Sequence, residues 1–238
     1  EFRVQDSFID WLHKDLDMVF LCNPNNPTGI LTDREFLFRL LRVCREMGIF
    51  LVVDECFQDF IREPGQYSLK AQLPRYHNLF LLKAFTKRYA MAGVRLGYGI
   101  TENEELLEKM TQATQPWNIS IPAQAAGIAA LGEVEYVERA RKLIFAESEY
   151  LSEELYKLGM TVFPSQANYL FFKGPEDLFE ICVGQNVLIR DCSNYPGLGK
   201  GFYRVAVRTH EENERLIQAI HDGLMEARKK TQEEEGEE

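Results

Sequence analysis

The sequence predicts an α/β fold: a mostly parallel sheet flanked by helices, followed by a small C-terminal α+β domain. Three observations predict it. Short, nearly continuous apolar runs alternate with amphipathic stretches of helical period, the pattern of strands covered on both faces. The runs stop at turns rich in Pro, Asn and Gly. After a long helical stretch over 134–158, the alternation gives way to a compact order of strand, helix, two strands and helix.

Each element follows from its own residues. The run at 18–22 is Met-Val-Phe-Leu-Cys and ends at Asn23-Pro24. A helix is expected over 33–47, because Phe36, Leu37, Leu40, Leu41 and Cys44 recur at helical spacing. Asp33 suits its N-cap and Gly48 its stop. Residues 49–53 read as a β-branched buried strand, 79–82 as another and 96–100 as a third. The loop before 96–100 is too short for a helical crossover, so that strand is expected to run antiparallel. Helices are expected over 104–113, 121–131 and 134–158, the last ending at Gly159. The second part reads strand 169–172, helix 178–183, strands 187–190 and 203–207, and helix 211–228. The domains are therefore 1–135, a connecting helix 136–158, a small domain 159–230, and an acidic tail 231–238 expected to be disordered.

Composition narrows the function classes. The 238 residues, 45% of them hydrophobic, suffice for one large domain and a small one. A net charge of -10 argues against nucleic acid and against an anionic membrane as partners. The five cysteines (Cys22, Cys44, Cys56, Cys182, Cys192) show no CxxC, so neither a zinc site nor a disulfide framework is expected. The four histidines are scattered without metal-ligand spacing, and no metal is expected. No signal peptide or long apolar span appears, which points to the cytoplasm, with the reservation that the chain opens at Glu1 without a Met.

Three segments carry chemistry. Asn23-Pro24-Asn25-Asn26-Pro27-Thr28-Gly29 is a rigid turn at the carboxyl end of a strand, where open α/β sheets bind ligands. Asp54 closes the next strand, where a partly desolvated carboxylate needs a cationic partner. Thr86-Lys87 follows the third strand, and Arg95 lies eight residues beyond Lys87. A lysine there suits a Schiff base, since desolvation and neighbouring positive charge free its lone pair. An arginine suits bidentate capture of a phosphate.

In this order the three segments resemble the aspartate-aminotransferase superfamily of fold-type I pyridoxal 5'-phosphate (PLP) enzymes. The specific part is Asn-Pro-x-Asn-Pro-Thr-Gly, then a strand ending in Asp-Glu, then Thr-Lys with Gly-x-Arg-Leu-Gly-Tyr. The resemblance runs up to the acidic tail and implies PLP as cofactor, with 1–135 as the C-terminal part of the family's large domain. It implies that Lys87 carries the cofactor and shuttles the proton, and that Asp54 pairs with the pyridine nitrogen. Asn26 would hydrogen-bond the phenolic oxygen, and Arg95 and Thr86 would hold the phosphate. Tyr98 is read as packing. Two positions depart from the family pattern: Phe57 stands where a tyrosine is frequent, and Ala84 where a serine is frequent.

The small domain narrows the reaction. Residues 187–198 and 202–208, with Ile189-Arg190 and Tyr203-Arg204-Val205, resemble the threonine-phosphate decarboxylases of cobalamin synthesis and, by fold, the histidinol-phosphate aminotransferases. That resemblance implies that Arg204 grips a substrate carboxyl or phosphate, that Arg190 assists and that Asn168 faces the site. Arg208 stays open between substrate contact and a structural salt bridge. The expected substrate is a small phosphorylated amino acid or amine and the expected assembly a homodimer. Phe57 favours the decarboxylase; a transaminase is the alternative. A reading of another class is a non-catalytic fragment or dimerising remnant, because the family's N-terminal arm and first strands are not in this sequence.

Overall fold

The computed structural model describes residues 2–236. They form two compact units: Glu1–Asn26 with Ile30–Ala140, and Pro27–Gly29 with Arg141–Glu238.

The first unit contains β1 (Met18–Cys22), α1 (Arg34–Met47), β2 (Phe50–Asp54), α2 (Pro64–Tyr67), β3 (Leu79–Ala84), α3 (Phe85–Arg88), β4 (Gly97–Ile100), α4 (Glu104–Ala113) and α5 (Ile121–Leu131). The sheet order is β1-β2-β3-β4. β1, β2 and β3 run parallel and β4 pairs antiparallel with β3, as the short preceding loop requires. The α1 boundaries follow the predicted chemistry. Asp33 accepts a hydrogen bond from the Phe36 N–H at 3.0 Å, and Gly48 takes the left-handed conformation at φ 77° that ends the helix.

The apolar stripe of α1 (Phe36, Leu37, Leu40, Leu41, Cys44) packs on Val19, Leu21, Leu51, Val53, Leu79 and Leu81. Each such side chain contributes about 1.5–3 kcal/mol on burial, so this face anchors the sheet. Coverage of β1 differs from expectation. Its burial alternates, leaving Phe20 69% and Met18 47% exposed on the far face, so an apolar run need not be buried on both sides. Short 3₁₀ segments at Asp6–Trp11, Gln58–Phe60, Lys70–Arg75 and Ala92–Val94 were not foreseen, since such turns carry no apolar period.

The division between the units falls inside α6 (Val134–Lys157). The second unit continues with β5 (Thr161–Phe163), β6 (Tyr169–Lys173), α7 (Leu178–Gly184), β7 (Arg190–Asp191), β8 (Phe202–Ala206) and α8 (His210–Gly236). Among the described residues its sheet pairs antiparallel at each step, in the order β5-β6-β8-β7. Leu170, Phe172, Tyr203 and Val205 bury one face against Leu151 and Leu155 of α6, Leu178 and Cys182 of α7 and Ile220 of α8.

Pro27–Gly29 belongs with this unit for a local reason. The Gln166 N–H donates to the Gly29 carbonyl at 2.8 Å, and a Cβ on Gly29 would lie 2.0 Å from Ser165 Oγ. With φ at +71°, only glycine serves there.

Three details differ from the sequence reading. β5 was not expected. The strand expected over 187–190 shrinks to Arg190–Asp191, because the Val187 N–H folds back onto the Cys182 carbonyl at 2.9 Å. α8 runs through Gly236 and so covers 231–236 of the stretch expected to be disordered; Gln and Glu are good helix formers. Glu237 and Glu238 of that tail lie outside the described residues.

Candidate active site

Register places the first group of site residues. Cys22 of β1 is opposite Asp54 of β2, and Asp54 is opposite Leu82 of β3. β1 and β2 therefore finish level and β3 runs two residues further, at neighbouring spacings of about 4.8 Å. The Asn23–Gly29 loop, Asp54 and the Thr86-Lys87 pair all emerge at this one carboxyl edge. The loop is held from below: the Asn23 N–H donates to the Asp54 carbonyl at 2.9 Å, and Asn23 Oδ1 accepts from the Thr32 N–H at 2.9 Å. Asn25 N–H closes the turn on the Ile30 carbonyl at 2.9 Å, leaving Asn26 at its half-buried rim.

Charge accounting at this edge separates structural from reactive groups. Glu55 is fully buried, and its carboxylate takes Lys83 Nζ at 2.9 Å, the Ser68 hydroxyl at 2.8 Å and the Leu69 N–H at 3.0 Å. Arg88 pairs with Asp59 and packs on the Tyr89 ring. After these pairs, Asp54, Lys87 and Arg95 remain, and none of them forms an ion pair among the described residues. Asp54 Oδ1 accepts from the Cys56 N–H at 2.9 Å. Exposed Lys87 carries its Nζ 5.6 Å from the centre of the Phe57 ring. Arg95 is exposed, in the left-handed conformation at φ 56°, with Nη1 donating to the Ala92 carbonyl at 3.0 Å. Thr86 is half-buried in α3 beside Lys87. Tyr98 packs edge-on against Phe85, and burial pushes its hydroxyl above the usual tyrosine range.

An uncommitted anion, amine and guanidinium are the donor set that PLP needs: a partner for the ring cation, one for the aldehyde and one for the phosphate. The residues present fit that group. The sequence had identified all three. It missed the Lys83–Glu55 pair and the Cys56 contact, because neither the spacing of 28 residues nor a lone cysteine signals a contact.

The second group lies in the second unit. Arg190 and Arg204 are direct register partners across β7 and β8. Arg190 Nη2 donates to Asn194 Oδ1 at 3.0 Å, with its guanidinium 5.9 Å from the Tyr195 ring. Arg204 lies over the Tyr169 ring at 5.1 Å. The Asn168 carbonyl accepts from the Val207 N–H at 2.9 Å, while its buried Oδ1 has no hydrogen-bond partner among the described residues. Arg208, left open by the sequence, pairs with Glu212 at 3.1 Å. Asn26, Asp54, Thr86, Lys87 and Arg95 are thus brought together in one unit, and Asn168, Arg190 and Arg204 in the other.

A family model described as aminotransferase class I and II matches residues 7–220. The chain belongs to that family. The family is pyridoxal phosphate dependent. The chain is 35% identical over 226 residues to a threonine-phosphate decarboxylase of Salmonella typhimurium, covering 93% of this chain and 62% of that one. It is 39% identical over 212 residues to a histidinol-phosphate aminotransferase of Desulfitobacterium hafniense, covering 87% and 56%. The crystal structure of the histidinol-phosphate aminotransferase from Clostridium acetobutylicum superimposes with a TM-score of 0.82 at 33% identity, covering 87% of this chain and 63% of that one. The chain therefore spans about three fifths of the length of the curated relatives it matches. Among the described residues, no helix is long and apolar enough to cross a membrane.

Proposed function

We propose that this aminotransferase-family protein acts on a small phosphorylated amino acid, as an L-threonine O-3-phosphate decarboxylase of cobalamin synthesis, working as a cytoplasmic homodimer. One observation carries the reading: Arg190 and Arg204 face each other in register. Like charges directly opposed in a sheet are destabilising, so the pair makes sense where a multiply charged anion sits between or above them. A substrate with a carboxylate and a phosphate is such an anion. Phe57, which brings no hydroxyl to Lys87, supports the same reading.

The cofactor, when bound, supplies an electron sink for the bond that breaks at the substrate Cα. The residues of this chain do the rest. Asp54 would pair with the ring nitrogen and favour its protonated form, each pKa unit added there being worth about 1.4 kcal/mol. Asn26 would hydrogen-bond the phenolic oxygen, Thr86 and Arg95 would hold the phosphate, and Lys87 would carry the cofactor and move the proton at Cα. Arg190, Arg204 and Asn168 orient the substrate. The bond that breaks at Cα decides the reaction: loss of the carboxylate would release CO2, whereas loss of the hydrogen would begin transamination.

A histidinol-phosphate-type aminotransferase is the second reading, favoured by the 39% identity to the Desulfitobacterium enzyme. The test is an assay of the PLP-loaded, full-length protein with L-threonine O-3-phosphate and no keto-acid acceptor. Sustained CO2 release is expected. Amino transfer from histidinol phosphate without CO2 release establishes the second reading, and neither activity leaves the non-catalytic one.

A further inference from the structure

We propose that Tyr169 is a positioning residue for Arg204: its ring lies against the guanidinium and holds it ready for an anionic substrate. The proposal rests on the reading that Arg204 grips the carboxylate or phosphate of that substrate.

Strand register brings the two side chains together. β6 and β8 pair Tyr169 with Ala206 and Phe171 with Arg204, so Tyr169 and Arg204 are diagonal neighbours on one face of the sheet. The other face sends Leu170, Phe172, Tyr203 and Val205 into the helical core. Arg204 Cζ lies over the Tyr169 ring, 5.1 Å from its centre, within reach of a cation–π contact. Tyr169 is buried, and its backbone is pinned where the Ser165 hydroxyl donates to its carbonyl at 2.6 Å. Directly across the strands, Arg204 faces Phe171 on one side and Arg190 on the other, an apolar ring and a like charge. The Phe171 ring is stacked on Phe202, with centres 5.6 Å apart.

The chemistry of an aromatic ring suits this place. A ring shielded from water attracts a cation more strongly than an exposed one. It meets the guanidinium without using its N–H donors, which bidentate capture of an oxyanion requires. A carboxylate in the same place would use those donors and neutralise the charge. The ring also restricts a long side chain before the substrate arrives, so less freedom is lost on binding.

The experiment is a double-mutant cycle on the full-length, PLP-loaded protein. The probe is 3-phosphoglycerate, which carries a carboxylate and a phosphate but no amine, and its dissociation constant is read by calorimetry. Tyr169→Leu is expected to weaken binding roughly three- to tenfold, the size of one partly desolvated cation–π contact. Tyr169→Phe keeps the ring and is expected within about twofold of the native constant. In an Arg204→Ala background, Tyr169→Leu is expected to change the constant by less than about twofold, because its action passes through the guanidinium. An equal loss in both backgrounds, no loss in the native one, or a loss in Tyr169→Phe as large as in Tyr169→Leu overturns the proposal. If Tyr169→Leu does not fold, Tyr169→Met, which is also apolar and lacks the ring, takes its place in the same cycle. If the native protein does not bind the probe, or Arg204→Ala alone leaves the constant unchanged, the reading of Arg204 falls and the proposal with it.

Discussion

Two lysines four residues apart, Lys83 and Lys87, show how differently one residue type is used at the scale of the side chain. Lys83 is 13% exposed and neutralises a fully buried Glu55. Lys87 is exposed and forms no ion pair among the described residues. Removing Lys83 leaves a charge stranded in the interior, at a cost of about 3–5 kcal/mol. Lys83→Met is therefore expected to lower the unfolding free energy measured in urea by that much, whereas Lys87→Ala is expected to leave it within about 0.5 kcal/mol of the native value. Retention of cofactor divides them the other way. After desalting, Lys87→Ala is expected to carry no visible cofactor band, and a band that survived would remove Lys87 from its role. The sequence distinguished the two lysines only through the family motif. Physically, the distinction is made by Glu55, which reaches Lys83 from the adjacent strand.

At the scale of the element, β8 shows how one strand serves the core and the site at once. Tyr203 and Val205 point into the helical core, and the Tyr203 hydroxyl donates to the Pro175 carbonyl at 2.7 Å. Phe202, Arg204 and Ala206 take the opposite face by the period of two. Arg204→Ala therefore removes a guanidinium without opening the core. The expected result is a KM raised about 10- to 100-fold, the worth of a charge-assisted bidentate contact, with a smaller change in kcat. An unchanged KM would make Arg204 structural. The alternation of β8 was legible from Tyr203-Arg204-Val205. Its partner β7 was not. Val187 and Leu188 have strand-like side chains, but the Val187 backbone is already spent closing the end of α7.

At the scale of the whole molecule, burial of thiols links stability to pH in both units. Cys44 and Cys182 rise from an ordinary 9.0 to about 11 by burial alone. Cys22 rises to about 11 and Cys56 to about 12, by burial first and then by Asp54. A raised folded-state value means that the folded chain keeps protons the unfolded chain releases. The stabilisation is complete below about pH 9 and is lost as pH rises through 11 to 12. The urea midpoint is expected to hold steady from neutrality to about pH 9 and fall above it. The native thiols are expected to react slowly with a disulfide reagent at about pH 8 and rapidly after unfolding. Immediate reaction of several thiols in the native protein would contradict their burial.

The sequence by itself determined the alternating architecture, the antiparallel last strand of the first sheet, the caps of α1 and the family, and it offered Asn26, Asp54, Lys87 and Arg95 as site candidates. These are written in local features: apolar period, turn residues and a motif of fixed order. The tertiary structure alone decided which charges are spent and which are left. Glu55 takes Lys83, Asp59 takes Arg88 and Glu212 takes Arg208, while Arg190 and Arg204 meet across a strand pair. Apart from the Arg208–Glu212 pair within α8 and its approach, these partners lie 14 to 29 residues apart, and only strand register and burial, which no local pattern encodes, bring the two members of each pair together.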